Sequence, residues 1–289
     1  MLKWVVAALA LLPMAGKAAE TLPGCKVGVQ LYSFRNDLDK DLPGTLARIK
    51  NLGVNCVEPY SLHGLTAEQL RSQFDKAGLK VVSFHLPGEL REGDPAEAVR
   101  VAKVLGAQQV GVAWIKESGT DVVNGSKLMA AATRLNAMCP AAKAAGLKVF
   151  YHPHGYEFHE GDPDAQLFDR FVIALDKDCV MLQLDAFWVA YAGQDPVKLM
   201  SKYANRVTSY HVKDMAKTLK VAPFDGSKWT GPLPDEAFAP LGQGKIDQPA
   251  LIKLGKQHKV KWFILEDETT HPYDNIAIAL PYMKSQGLE

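Results

Sequence analysis

Apolar and polar positions along this chain repeat in one phrase. NLGVNCVE (51–58), KAGLKVVS (76–83), VLGAQQVG (104–111) and AAGLKVFY (144–151) each read as a helix end, a glycine, a short spacer and an apolar run. Glycine ends helices because it enters the left-handed conformation without steric cost. The run after it is brief, apolar and partly β-branched, as a buried strand is. An amphipathic stretch precedes each glycine. In LTAEQLRSQFDKAG, Thr66 can cap, Gln69 completes a capping box, and Leu70, Phe74 and Ala77 line one face.

Such runs predict eight strands: Val27–Tyr32, Cys56–Pro59, Val81–His85, Gln109–Trp114, Lys148–Tyr151, Val180–Leu184, Val207–His211 and Trp262–Leu265. Helices are predicted between most of them, including Ala96–Leu105, Lys127–Ala145, Pro196–Tyr203 and Pro249–Gln257, with a last one at Asn275–Gln286. Strand–helix alternation argues for a parallel sheet with helical crossovers. Eight units fit an α/β fold, a single (β/α)8 TIM barrel. An open doubly wound sheet is the alternative, but it normally carries a glycine-rich loop after strand one, and VGVQLYSF has none. Residues 215–245 read as a long loop after the seventh strand.

The first residues break this pattern. MLKWVVAALALLPMAGKAAE has an early lysine, an apolar run from Trp4 to Met14, then small residues. That is the layout of a secretory signal, and the run is too short to span a bilayer comfortably. The expected division is a signal peptide over 1–19, cut near Ala18 or Ala19, and a secreted or periplasmic barrel over 20–289. An apolar N-terminal helix of the fold is the alternative. LPGC (22–25) faintly resembles a lipoprotein box, but Cys25 stands well past the apolar run. The four cysteines show no CxxC pattern and allow three pairings. Cys56, in an apolar run, reads as a buried thiol. Export permits one disulfide, and no zinc knuckle is supported.

Composition narrows the partners. The 289 residues are 47% hydrophobic and 22% charged, with a formal net charge of +1. This balance argues against nucleic acid, and against a membrane partner once the signal is cut, since both call for clustered Lys and Arg. A small molecule is expected, and a homo-oligomer remains open.

In a barrel, chemistry sits at the C-terminal ends of the strands. There stand Glu58, His85, His152 with His154, Asp185, His211 with Lys213 and Asp214, and Glu266 with Asp267 and Glu268. All are metal-ligand or acid–base types. Asp185, His211 and Glu266 each close an apolar strand, where a charge is costly unless paired or bound to metal. Converging Asp, His and Glu suit one divalent ion: Mn, Co, Mg or Zn. Structural ion pairing is the alternative for each.

Together VEPY (57–60), SFHLPG (83–88), YHPHGYEF (151–158), LDAFWVAYAGQDP (184–196), HVKDM (211–215), GQGKID (242–247) and ILEDE (264–268) resemble the sugar isomerase/epimerase superfamily, the xylose-isomerase-like TIM barrels. The resemblance covers essentially the whole mature chain. It implies one divalent metal held from strands five to eight, which by position means His152, Asp185, His211 and Glu266. Epimerases of that superfamily carry a Glu at the fifth-strand position, and it exchanges the α-proton with the eighth-strand Glu from opposite faces. Here the position is His152. The YHPH stretch is closer to the inosose dehydratase branch and related keto-sugar lyases.

The mechanism expected is enolisation, with Glu266 as base and Glu157 or Glu58 as the other candidates. Lys213 and His85 bind hydroxyls or steady the oxyanion, unless Lys213 is a surface lysine. Glu58, His154, Trp114 and Trp188 are expected to touch the sugar, as is Phe187. Rim packing is the alternative for the aromatics. His154 supports a metal ligand, donates to substrate, or is the ligand in place of His152. Glu157 is a base or a solvated loop carboxylate, and His159 and Glu160 face solvent. The leading reading is a metal-dependent isomerase or epimerase of a non-phosphorylated keto- or aldo-sugar. The others are a lyase or hydratase eliminating from a keto-sugar or 3-keto-glycoside, and an exported carbohydrate-binding protein. An abasic-site endonuclease is disfavoured by the near-neutral charge.

Overall fold

A computed structural model describes residues 24–115, 123–158, 167–220 and 233–288. The predicted signal peptide, His159 and Glu160 lie outside these residues. The repeating phrase folds as its glycines require. Gly53, Gly78, Gly106 and Gly146 all take positive φ, from 68° to 92°. The last three close the helices Ala67–Ala77, Pro95–Leu105 and Gly125–Ala145. The Thr66/Gln69 capping box forms in both directions, at 2.8 and 3.2 Å.

The strands are β1 (Val27–Gln30), β2 (Cys56–Glu58), β3 (Lys80–Val81), β4 (Ser83–His85), β5 (Gln109–Val112), β6 (Lys148–Tyr151), β7 (Val180–Asp185), β8 (Val207–Val212), β9 (Asp214–Met215), β10 (Phe238–Ala239) and β11 (Trp262–Leu265). Nine form one parallel sheet in the order β3-β2-β1-β11-β8-β7-β6-β5-β4. β3 and β4 are two halves of one predicted strand, interrupted at Val82. The Val82 N–H donates to Val57 on one side, and the Val82 carbonyl accepts from Gln108 on the other, both at 3.0 Å. The two ends of the sheet therefore meet in a ring, the α/β TIM barrel that the alternation predicts.

Inside the ring, Gln109 on β5 bonds Ser209 on β8 across the barrel at 2.8 Å. Gly111 has no room for a side chain, because a Cβ there would run into the Phe150 carbonyl and ring. That close approach seats Phe150 against His85, ring centroids 5.3 Å apart.

Three features differ from expectation. Both cysteine pairs are joined, Cys25–Cys56 and Cys139–Cys179, so Cys56 is not a free buried thiol and there are two disulfides rather than one. Each bond closes a loop between neighbouring elements, at separations of 31 and 40 residues. A short helix, Ala186–Tyr191, follows β7 directly, because Asp185 caps it. The region read as a long loop contains an antiparallel β9–β10 pair. Its GQGKID turn is held by Asp214, whose carboxylate accepts from the N–H groups of Gly242, Gly244, Met215 and Ile246. Among the described residues, no helix is long and apolar enough to cross a membrane.

Candidate active site

Strand alternation decides which polar residues meet. Successive side chains on a strand face opposite ways, so Gln183 and Asp185 share the inner face of β7, and His211 and Lys213 do so at the end of β8. Glu266 and Glu268 follow β11 in the same phase. Asp267 between them turns away to bind Thr269 and Asn275.

The lower half of the site centres on Glu58, which is fully buried. Its Oε1 accepts from Gln30 Nε2 at 2.7 Å and His211 Nε2 at 2.6 Å, and lies 2.9 Å from His85 Nε2. Its Oε2 accepts from Gln183 Nε2 at 2.6 Å and from the Ser83 hydroxyl. Burial alone would raise this carboxyl, but the facing His85 and His211 hold it well below the usual range. Glu58 is not among the cavity-lining residues. The expected substrate contact is therefore replaced by an anchoring one beneath the floor.

The upper half centres on Lys213. Its ammonium stands 3.2 Å from Asp185 Oδ2, 2.9 Å from Glu266 Oε2 and 2.5 Å from Glu268 Oε1. Burial works against this charge, yet the three carboxylates hold it well above the ordinary lysine value. The surface-lysine alternative is excluded by its 3% exposure. Burial opposes His211 in the same way, but Glu58 and Glu266 raise it to about 10. His152 and His154 carry the opposite balance. Burial keeps His152 well below its ordinary value and brings His154 to about 3, so both rings are neutral near pH 7.

Asp185, His211 and Glu266 bring ligand atoms within 4.8 Å of one another. His211 Nδ1 lies 2.9 Å from Glu266 Oε2 and 3.9 Å from Asp185 Oδ2. Ligands about 2.0–2.2 Å from a shared ion stand roughly 3–4.4 Å apart, so these separations fit. Asp185 supports the fit as well: Oδ1 caps the helix at Trp188 N–H, while buried Oδ2 accepts no aligned hydrogen bond. His211 donates Nε2–H to Glu58, the outer-shell pattern of a metal-bound histidine. The cluster also gathers four carboxyl groups, Glu58, Asp185, Glu266 and Glu268, around His211 and Lys213, an oxygen-rich set with one imidazole that suits a divalent ion. His152 stands at the edge of this trio, its Nε2 3.8 Å from Asp185 Oδ2.

Above the cluster opens a cavity of about 420 Å³, in the size range of small-molecule sites. His85, His152, His154, Trp114, Trp188, Glu266 and Glu268 line it, with Tyr32, Tyr60, Gln30 and Arg91. Arg91 is committed elsewhere, donating to Glu92 Oε1 at 2.7 Å and the Trp114 carbonyl at 2.6 Å. Phe187 is absent from the lining and stacks on Phe238 instead. Glu157 is absent too. Its Oε1 accepts from the Tyr151 hydroxyl at 2.5 Å and the His154 N–H at 3.2 Å, and the residue is fully buried. It is neither the cavity base nor the solvated carboxylate expected. The stretch that carries it turns at Gly155 (φ 95°), where a Cβ would press within 2.8 Å of the Trp188 carbonyl.

Gln30, Ser83, Gln183, Tyr32 and Tyr60 join the site without having been expected there. A signal for Gln183 was present: a polar residue inside an apolar strand, two positions before Asp185, must share its inward face.

Residues 46–286 match the model of the family described as "Xylose isomerase-like TIM barrel". An inosose dehydratase from Clostridium beijerinckii is 25% identical over 199 residues, covering 64% of this chain and 65% of that one. The chain thus spans less than two thirds of that relative, and 53% of a similar one from Clostridium perfringens. Among solved structures, a sugar phosphate isomerase/epimerase from Parabacteroides distasonis superposes with a TM-score of 0.69 at 20% identity, covering 95% of this chain and 98% of that one. A xylose isomerase-like TIM barrel protein from Mycobacterium smegmatis, in complex with magnesium, gives 0.66 at 16% identity, with 91% and 96% covered. The match to the family model and the closed barrel agree: this chain belongs to the xylose isomerase-like TIM barrel family.

Proposed function

We propose that this chain is a lyase acting on an uncharged keto-sugar or keto-glycoside, by α-proton removal and loss of a β-leaving group. One observation carries this reading. The carboxylates lining the cavity, among the described residues, are Glu266 and Glu268, and both follow the same strand. A two-base epimerisation needs acid–base groups on opposite faces of the substrate. Here the other wall presents His85, His152, His154 and Trp114. One carboxylate suffices for elimination: it takes the α-proton and returns it to the β-oxygen as that group departs on the same face.

Glu266 is the proposed base. Burial would raise its carboxyl, but Lys213 and His211 keep it ionised. Lys213, His85 and the neutral imidazoles of His152 and His154 would orient substrate oxygens. Trp114 and Trp188 would wall the sugar ring. Asp185, His211 and Glu266, with His152, would hold a divalent ion (Mn, Co, Mg or Zn), whose positive charge polarises a substrate carbonyl when bound. Acidic lining and an Arg91 already engaged favour an uncharged substrate over a phosphorylated one. The curated relatives named inosose dehydratase support the elimination outcome. Two disulfides and the apolar N-terminal run support export to an oxidising compartment.

The test is product analysis with keto-inositols, free keto-sugars and 3-keto-glycosides in deuterated water. Elimination releases water or an aglycone. Isomerisation conserves mass apart from exchanged deuterium. Release should fall with EDTA and vanish in Glu266→Gln. Mass-conserving products alone would return the assignment to an isomerase or epimerase.

A further inference from the structure

We infer that Gln183 is a positioning residue that decides which ring nitrogen of His152 and His85 carries the proton, and thereby which nitrogen of His152 faces the cation side of the site. Gln183 is fully buried on the inner face of β7. Its Nε2 lies 2.6 Å from Glu58 Oε2. Its Oε1 lies 2.6 Å from His85 Nε2 and 3.0 Å from His152 Nδ1.

The assignment follows from donors and acceptors. Gln30, Ser83 and His211 all direct donors at the Glu58 carboxylate. A carboxylate so surrounded only accepts, and the Gln183 atom beside it must be the NH₂ group. The amide oxygen then faces the two imidazoles. An oxygen cannot donate, so both nearby ring nitrogens must be N–H: Nε2 of His85 and Nδ1 of His152.

In a neutral imidazole the other nitrogen is then the lone pair. For His152 that nitrogen is Nε2, 3.8 Å from Asp185 Oδ2. A carboxylate at that place would otherwise draw the proton onto Nε2. The 3.0 Å bond to Gln183 prevails because 3.8 Å is too long for a hydrogen bond. His152 thus presents a lone pair to the side where a cation ligand is needed. The consequence for cation binding rests on the metal reading above; the tautomer assignment does not.

The test uses the full mature protein labelled with ¹⁵N, with histidine tautomers read from long-range ¹H–¹⁵N correlations. In the wild type, His152 should be protonated at Nδ1 and His85 at Nε2. Gln183→Met keeps the shape but removes acceptor and donor, and should move the His152 proton toward Nε2. Gln183→Glu keeps the acceptor and should preserve Nδ1–H. Cobalt(II) affinity, titrated directly, should fall about 10–100-fold in Gln183→Met. A wild-type His152 protonated at Nε2 overturns the inference without need of any variant. So does a Gln183→Met protein with unchanged tautomer and cobalt affinity. If the wild type shows the expected tautomers and binds no cobalt, the tautomer assignment stands and the metal reading fails.

Discussion

Glu157 gives a test in which stability and chemistry point in separable directions. Its carboxyl is fully buried, and burial raises it to about 7 from an ordinary 4.5, despite hydrogen bonds from Tyr151 and from backbone N–H groups. Its second oxygen, Oε2, accepts no hydrogen bond among the described residues. The folded state therefore holds this proton more tightly than the unfolded chain. The stabilising contribution is complete below pH 4.5 and is lost as pH rises through about 7. The span corresponds to about 3 kcal/mol. Glu157→Gln keeps an oxygen for the Tyr151 hydroxyl and the His154 N–H, and it cannot ionise. Urea unfolding of both proteins across this range should show the variant gaining about 3 kcal/mol on the wild type, with no further gain above the upper limit. A difference that stays flat, or that grows toward acid, refutes the reasoning. Activity supplies the second arm. Glu157 lies outside the cavity, so the variant should retain turnover within a few-fold, whereas a catalytic base would lose nearly all of it.

Three further outcomes follow from the packing. Glu58→Gln removes the charge facing His211, and should destabilise the fold by about 3–5 kcal/mol in chemical denaturation, because the buried His211 cation loses that counter-charge. Replacing Cys139 and Cys179 together by serine opens a 40-residue loop and should cost about 4 kcal/mol in the chain-entropy account, with reductant then shifting the double variant less than the wild type. Gly111→Ala forces a methyl group into Phe150 and should cost about 1–3 kcal/mol or more, read as a lowered unfolding midpoint.

The barrel was legible because its signals are local. A glycine in the left-handed conformation, a capping box and a short apolar run each act within a few residues, and four copies of one phrase set the repeat. What failed was also local in kind. The broken strand at Val82 is invisible to a periodicity that treats KVVSFH as one apolar run. The helix after β7 starts on Asp185, a residue type that signals chemistry and capping alike, and one of its oxygens caps the backbone at Trp188. The cysteine pairs needed distances that only the closed barrel supplies. Cys25 and Cys56 are brought together because β1 and β2 are neighbours.

The site divides along the same line. Residue types at strand ends were readable, and the structure gathers Asp185, His211, Lys213 and Glu266 as alternation along the strands requires. The partners were not readable, because they come from distant strands. Glu58 meets Gln183 across 125 positions and His211 across 153. Those partners change the roles. Glu58 becomes the anchor for two histidines rather than a sugar contact. Glu157 becomes a buried carboxyl bonded to Tyr151 and His154 rather than one lining the cavity. Lys213 becomes the counter-charge of three acids rather than a surface residue. A strand end reveals which chemical group is present; its protonation and its freedom to touch substrate are set by what the other strands place within 3 Å of it. Among the described residues, the acids that line the cavity are Glu266 and Glu268, and both follow β11, so their shared origin is set by the alternation after that strand and not by any long-range partner.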